Sequence, residues 1–300
     1  MAKDLRICLI GFGVMGRNHY RNLLRVENVR LAGVCDLKAD LSALEAPGFR
    51  NIQDLVDSVD FDAAVVCVPT VEHFKVAMTL IQKGKHLLIE KPIASCVEEA
   101  RELRDTSQSA GTALAVGHVE RFNPAVQSLR AELTGKQLFS IAITRVGPFP
   151  PRIADVGVLI DLSVHDIDLI RFITGREIVE KSIMKSQKIH ERHEDNAILS
   201  FKLQDEIVAT ITTNWLTPFK KRKVEVATSE AYYEADLMRQ ELLEYSAYTL
   251  DNSFITRTCS IRRGEPLLEE LRAFRDLVKS GDGGQLANVE DGIRTLEILS

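Results

Sequence analysis

At 300 residues the chain exceeds the usual size of one compact domain, so two domains are the starting expectation. Hydrophobic residues make up 45% and charged residues 27%, which excludes disordered and fibrous classes and leaves ample aliphatic material for a core. A formal net charge of −5 gives no broad attraction to phosphate backbones or anionic lipid, so neither nucleic acid nor membrane is an expected partner.

The run LRICLI, Leu5 to Ile10, is short, apolar and ends at glycines, as a buried parallel strand does. Helical spacing over 14–26 and a second apolar run, VRLAGVCD over 29–36, complete a strand-helix-strand unit. The alternation continues with a helix at 52–58, a strand at 62–68, a helix at 73–83, a strand at 86–90, and a helix at 96–110 ended by Gly111 as a left-handed cap. A strand in TALAVGHV follows. This predicts a doubly wound α/β domain with a parallel sheet.

Beyond residue 135 strands of alternating character dominate, at 138–146, 197–203, 207–216 and 223–228, with helices near 157–173, closed by Gly175, and 266–280. An α+β second domain with antiparallel pairing is expected. The last helical pattern starts near Val289 and runs to the end, so the natural chain is expected to extend further. Five cysteines, Cys8, Cys35, Cys67, Cys96 and Cys259, show no CxxC spacing, and three lie in apolar runs. With no signal-peptide core and no apolar stretch of membrane length, a reducing, cytoplasmic location is expected.

Chemistry enters with Gly11-Phe12-Gly13-Val14-Met15-Gly16, a GxGxxG match placed after the first strand and opening the first helix. There the glycines serve a tight turn, close approach of a pyrophosphate and close helix packing, while helix N-terminal amides face the anion. Asp36 closes the second strand twenty residues after Gly16, where a carboxylate accepts both ribose hydroxyls of an adenosine and repels a 2′-phosphate. NAD is therefore expected over NADP; the alternative is that Asp36 caps the next helix. Pro69, Thr70 and His73 follow the third main strand and Glu90-Lys91-Pro92 a later one, on the edge where open α/β sheets bind ligands. The Lys91 ammonium suits a substrate hydroxyl on which negative charge develops, or else it simply reaches solvent.

In GVLIDLSVHDIDLIRFITG, Asp161, His165 and Asp168 fall at i, i+4 and i+7, a polar stripe on an apolar helix. Asp161 beside His165 suits a general base working near neutral pH. A structural hydrogen bond or a pair of metal ligands would look the same, although no further ligand cluster at recognisable spacing supports a metal.

Together GFGVMG, the CVPTVEH segment, IEKP and GVLIDLSVHDID, in this order and spacing, resemble the Gfo/Idh/MocA oxidoreductases, named for glucose-fructose oxidoreductase and inositol dehydrogenase. The resemblance spans nearly the whole chain. It implies an NAD-binding Rossmann domain, here 1–120, and a substrate domain with an open, mainly antiparallel sheet, here 121–300, with the helix near 289–300 packing back on the first domain. It also implies Lys91, Asp161 and His165 in the active site, Glu90 at the nicotinamide ribose, and a homo-oligomer through the second sheet.

Two segments, GHVERFNPAV and NWLTPFKKRKVEV, are similar to the branch acting on UDP-linked N-acetylhexosamines, the UDP-N-acetylglucosamine 3-dehydrogenases. Arg121 and Asn123 are then expected to grip sugar or amide oxygens, and the basic run Lys220, Lys221, Arg222, Lys223 to meet a diphosphate, unless that run is a solvated hairpin turn. The expected reaction is NAD-dependent oxidation of a sugar hydroxyl to a 3-keto sugar. An inositol or free-sugar dehydrogenase of the same family and a non-catalytic dinucleotide sensor are the rivals.

Overall fold

The computed structural model describes residues 4–150, 156–247 and 253–300. In chain order the first elements are β1 (Leu5–Ile10), α1 (Val14–Leu23), β2 (Val29–Cys35), β3 (Gly48–Phe49), α2 (Ile52–Ser58), β4 (Ala63–Val66), α3 (Thr70–Gln82), β5 (His86–Glu90), α4 (Val97–Ala110) and β6 (Leu114–Gly117). There follow α5 (Pro124–Glu132), β7 (Leu138–Pro148), a π-helical turn (Leu159–Ser163), α6 (Val164–Thr174), β8 (Ile178–Ser186), β9 (Asn196–Leu203), β10 (Val208–Asn214), β11 (Leu216–Thr228), β12 (Ala231–Asp236), β13 (Glu241–Ser246) and β14 (Ile255–Thr258). The chain closes with α7 (Pro266–Ser280), β15 (Ala287–Asn288) and α8 (Val289–Leu299).

Two compact units result, one of Met1–Val119 with Glu265–Glu297 and one of Glu120–Gly264 with Ile298–Ser300. This division differs from a single cut at residue 120, because α7 and most of α8 belong with the first unit. The reason lies in the sequence of α7: Leu268, Leu271 and Phe274 recur at helical spacing and pack into the same core cluster as Ile7, Leu9 and Val65 of the first sheet.

The sheet of the first unit runs β15-β6-β5-β4-β1-β2-β3. All its pairings are parallel except that of β15 with β6. Both faces are covered, so Cys8, Ile10, Ala64 and Val66 point into one cluster and Ile7, Leu9, Ala63 and Val65 into the other. That is why these strands read as predominantly apolar runs. Loops leaving the carboxyl ends of β1, β2, β4 and β5 therefore share one edge.

In the second unit an eight-stranded sheet, β14-β13-β12-β11-β7-β10-β9-β8, is antiparallel except for the β7–β10 pair. The fold class is as expected, α/β followed by a mainly antiparallel α+β unit. Alternate residues such as Ile141, Ile143, Leu199, Ile211, Val224 and Val226 form its core with Leu129 of α5 and Ile167 and Ile170 of α6. Among the described residues, no helix is long and apolar enough to cross a membrane.

Candidate active site

The glycine loop is locked by contacts that only glycines allow. Gly11 has φ +94°, and a Cβ there would stand 2.6 Å from the Cys67 carbonyl. A Cβ on Gly16 would stand 2.1 Å from the Gly11 oxygen, whereas one on Gly13 would meet nothing within 4 Å. Gly13 is the N-cap of α1 and offers no side-chain acceptor to its first turn, and Val14 beside it is exposed. Met15 is half-buried. Phe12 is buried edge-on against Tyr20, with ring centroids 5.5 Å apart. An open cradle at Gly13 under an uncapped helix N-terminus fits a pyrophosphate.

Asp36 sits beside this loop, half-buried. Its Oδ2 accepts from the Phe12 amide at 2.6 Å, and its Oδ1 from the amides of Lys38 at 2.8 Å and Ala39 at 2.7 Å. Burial opposes its charge, but these amides outweigh burial and hold its carboxyl below the usual range. The capping alternative thus has substance, although Asp36 caps a turn; the next helix, α2, is capped by Asn51.

After β4, Pro69 is the N-cap of α3 and Thr70 its first residue. His73 corrects the expectation of a cofactor contact: it is 1% exposed, and its ring nitrogens lie 2.8 Å from the Pro92 oxygen and 2.9 Å from the Val68 oxygen. It is a strut between two loops, and burial lowers its pKa. Glu90 ends β5 with Oε1 2.7 Å from Nε2 of the buried His19, and its Oε2 accepts from the Lys91 amide at 3.2 Å. Burial opposes the charge of Glu90, but the His19 bond and neighbouring positive charge hold its pKa below the ordinary range. Lys91 itself is half-buried. His19 carries no role in the sequence reading, yet it stands three residues beyond Gly16, on the helix face turned to the sheet.

In the second unit, Asp161 lies in the π-helical turn and His165 one residue into α6, both half-buried, while Asp166 and Asp168 are 0% and 1% exposed. The turn is anchored by Glu194, whose carbonyl accepts from the Val158 amide at 2.9 Å and whose carboxylate accepts from the Leu159 amide at 3.2 Å. Asp168 is held by Arg121 through Nε at 2.8 Å and Nη2 at 2.6 Å. Asp166 accepts from Arg145 Nε at 2.7 Å, and Arg145 Nη1 reaches Glu120 at 3.0 Å.

These partners correct two substrate assignments. Arg121, 6% exposed, gives its fork to Asp168 and stacks over Phe172 at 4.9 Å. Asn123, 4% exposed, caps α5 by accepting from the Ala125 amide at 3.1 Å and donates to Glu120 and the Leu237 carbonyl. Nε and Nη2 of Arg121 and the side-chain amide of Asn123 are thus engaged within the unit. The signal for α5 was present in Asn123-Pro124, an N-cap followed by a proline at the first helical position.

Burial pushes the Asp166 pKa up to about 6 against the pull of Arg145, while its Oδ2 has no hydrogen-bond partner among the described residues. An acid raised in the folded state stabilises the fold fully below its unfolded pKa and loses that contribution as pH climbs through 6. The stability gap between wild type and Asp166→Asn is therefore expected to shrink by about 2 kcal/mol between pH 4 and pH 7.5, read by urea unfolding at both values. A gap independent of pH means that Asp166 titrates as in the unfolded chain.

The basic run lines a groove of about 500 Å3 together with Arg239, Glu234, Asp236 and Glu241. It does not present four equal cations: Arg222 Nη1 bonds Glu120 at 3.0 Å and Lys223 bonds Glu234 at 2.5 Å. Lys220 is exposed and Lys221 half-buried.

Residues 5–118 match the family model described as an oxidoreductase family with an NAD-binding Rossmann fold, and residues 139–234 match the GFO/IDH/MocA C-terminal domain. The chain is 31% identical to the UDP-N-acetylglucosamine 3-dehydrogenase of Acidithiobacillus ferrooxidans over 246 residues, covering 80% of this chain and 77% of that protein. It is 23% identical to the myo-inositol 2-dehydrogenase of Thermotoga maritima over 308 residues, covering 96% and 92%. A solved structure of the Acidithiobacillus ferrooxidans enzyme superposes with a TM-score of 0.90 at 27% identity, covering 99% of this chain and 95% of that one.

Proposed function

The chain belongs to the Gfo/Idh/MocA family of NAD-binding oxidoreductases, and from that premise we propose that it oxidises a nucleotide-linked sugar, at C3 of a UDP-N-acetylhexosamine such as UDP-N-acetylglucosamine. When bound, NAD supplies the hydride acceptor. His165 takes the hydroxyl proton, Asp161 orients the imidazole, and Lys91 is the hydrogen-bond donor for negative charge that develops during oxidation. The observation that carries this reading is the contrast along one short segment. Asp166 and Asp168 are buried against arginines, whereas Asp161 and His165 keep partial solvent access.

Gly11 to Gly16 hold the pyrophosphate in this reading, and Asp36 the adenosine ribose. With Asp36 held ionised, NAD is expected to bind at least about tenfold tighter than NADP by calorimetric titration. Equal affinities remove Asp36 from that role.

For the substrate, Lys220 and Lys221 supply the cations for a diphosphate. Replacing both by alanine is expected to raise KM for UDP-N-acetylglucosamine by about tenfold with kcat nearly unchanged, because diphosphate contacts differ little between ground and transition states. The test is a screen of UDP-sugars, free sugars and inositols with NAD, read as NADH absorbance. Efficient turnover of free inositol, unaffected by the double variant, gives the assignment to the polyol reading instead. No turnover with intact NAD binding gives it to the dinucleotide sensor.

The homo-oligomer also belongs to this reading. Met184, Ile198 and Val208 are exposed on the β8, β9 and β10 face that looks away from the core, and self-association is proposed to cover them.

A further inference from the structure

We propose that His19 is a positioning residue for this reaction: it pins the Glu90 carboxylate, and with it the start of the Lys91 loop, to the helix that carries the glycine loop. The inference rests on the reading of Glu90 and Lys91 given above. In the sheet β5 and β1 are separated by β4, so the His19–Glu90 bond ties the end of β5 to the helix that follows β1, across one intervening strand, and joins residues 71 apart in sequence. His19 is completely buried and Glu90 is 8% exposed. An ionised carboxylate only accepts, so His19 Nε2 carries the hydrogen of this 2.7 Å bond. Nδ1 has no hydrogen-bond partner among the described residues, which leaves Glu90 as the partner that orients the ring.

The remaining contacts fall on the other carboxylate oxygen. Its Oε2 accepts from the amide of Lys91, and Gly117 on the adjacent strand makes room, since a Cβ there would stand 3.3 Å from that same oxygen. The titratable groups around it are His19 on α1, Cys67 after β4, His73 on α3 and Lys91 on its own loop, with buried Glu270 of α7 near Cys67. Of these, His19 makes the short side-chain bond that opposes burial and keeps Glu90 charged. Without it, a carboxylate at the end of a strand is free to change rotamer, and the amide it steadies belongs to Lys91. A displacement of about 1 Å at reacting groups can cost two orders of magnitude in rate.

Three measurements on His19→Leu and His19→Gln test this. In His19→Leu the Glu90 carboxyl, followed by 13C NMR on the cofactor-free protein, is expected to titrate at higher pH, because its charged form loses its donor while its burial stays. NAD affinity is expected to weaken and kcat to fall about ten- to a hundredfold, with the sugar KM changing less than about threefold. His19→Gln, whose amide nitrogen reaches as far as Nε2, is expected to recover all three to within about threefold. If the leucine variant does not fold, His19→Asn, polar but too short to reach Glu90, replaces it. An unchanged carboxyl titration overturns the proposal, and so do equal losses in the leucine and glutamine variants. If the wild type oxidises no sugar, the titration and the NAD affinity still decide the role of His19, so the substrate reading fails separately.

Discussion

Replacing His165 by alanine is expected to leave the protein folded, with a melting temperature within about 2 °C of wild type, and to cut kcat for sugar oxidation by about 10² or more. The expectation follows from the placement of the side chain. Val164, Asp166 and Ile167 around it are buried, while His165 keeps partial solvent access at the start of α6. The imidazole keeps partial access although its Nδ1 is buried, so its removal is expected to cost less in stability than in proton transfer. Arg121→Ala is the contrasting change, at a residue bound to Asp168 of the same helix, α6. It leaves Asp168 buried without its guanidinium, and the expected cost is about 3–5 kcal/mol of stability. A His165→Ala protein that melts far lower yet keeps its turnover reverses the two assignments and makes His165 structural.

The same contrast explains which parts of the molecule were legible in the sequence. Gly11, Gly13 and Gly16 act within six residues of one another, and strand and helix flank them, so local spacing exposes their task. The parallel strands announce themselves because both faces are buried along most of their length, so apolar residues dominate them, with Arg6 and Arg30 as exceptions toward the amino-terminal ends of β1 and β2. The partner of Arg121 is remote, Asp168 at 47 residues, whereas Asn123 combines a remote partner, Leu237 at 114, with a local capping role that the Asn123-Pro124 pair already signals. A polar residue just past a strand end looks the same whether it meets a ligand or a buried aspartate. His73 and His19 are the same problem in opposite senses: both are buried, but only the second reaches a residue proposed for the site. The π-helical turn at Leu159–Ser163 was invisible for a different reason. A turn wider than 3.6 residues leaves no mark on the apolar pattern of so short a segment. The assignment of α7 to the second domain failed because amphipathic spacing reports that a helix has a buried face without reporting which core receives it.

Gly13→Ala and Gly16→Ala are expected to fail in different ways, although the two glycines belong to one motif. At Gly16 the added carbon would lie 2.1 Å from the Gly11 carbonyl oxygen. That oxygen has no room to retreat. Gly11 is itself packed against the Cys67 backbone, and its amide donates to the Cys35 carbonyl at 2.8 Å. The loop must therefore distort, and a loss of about 1–3 kcal/mol in stability is expected together with loss of NAD binding. At Gly13 the added carbon meets no protein atom within 4 Å, and the backbone, φ −72° and ψ −155°, is extended with a negative φ, outside the left-handed region that demands glycine. The fold has no need of a glycine there; close approach of a pyrophosphate to the backbone does. Gly13→Ala is thus expected to melt within about 1 °C of wild type and to weaken NAD binding about ten- to a hundredfold, the cost of one crowded methyl group at a tight contact. Thermal unfolding without cofactor and calorimetric titration with NAD separate the two variants. Full NAD affinity in folded Gly13→Ala places the pyrophosphate somewhere other than this loop.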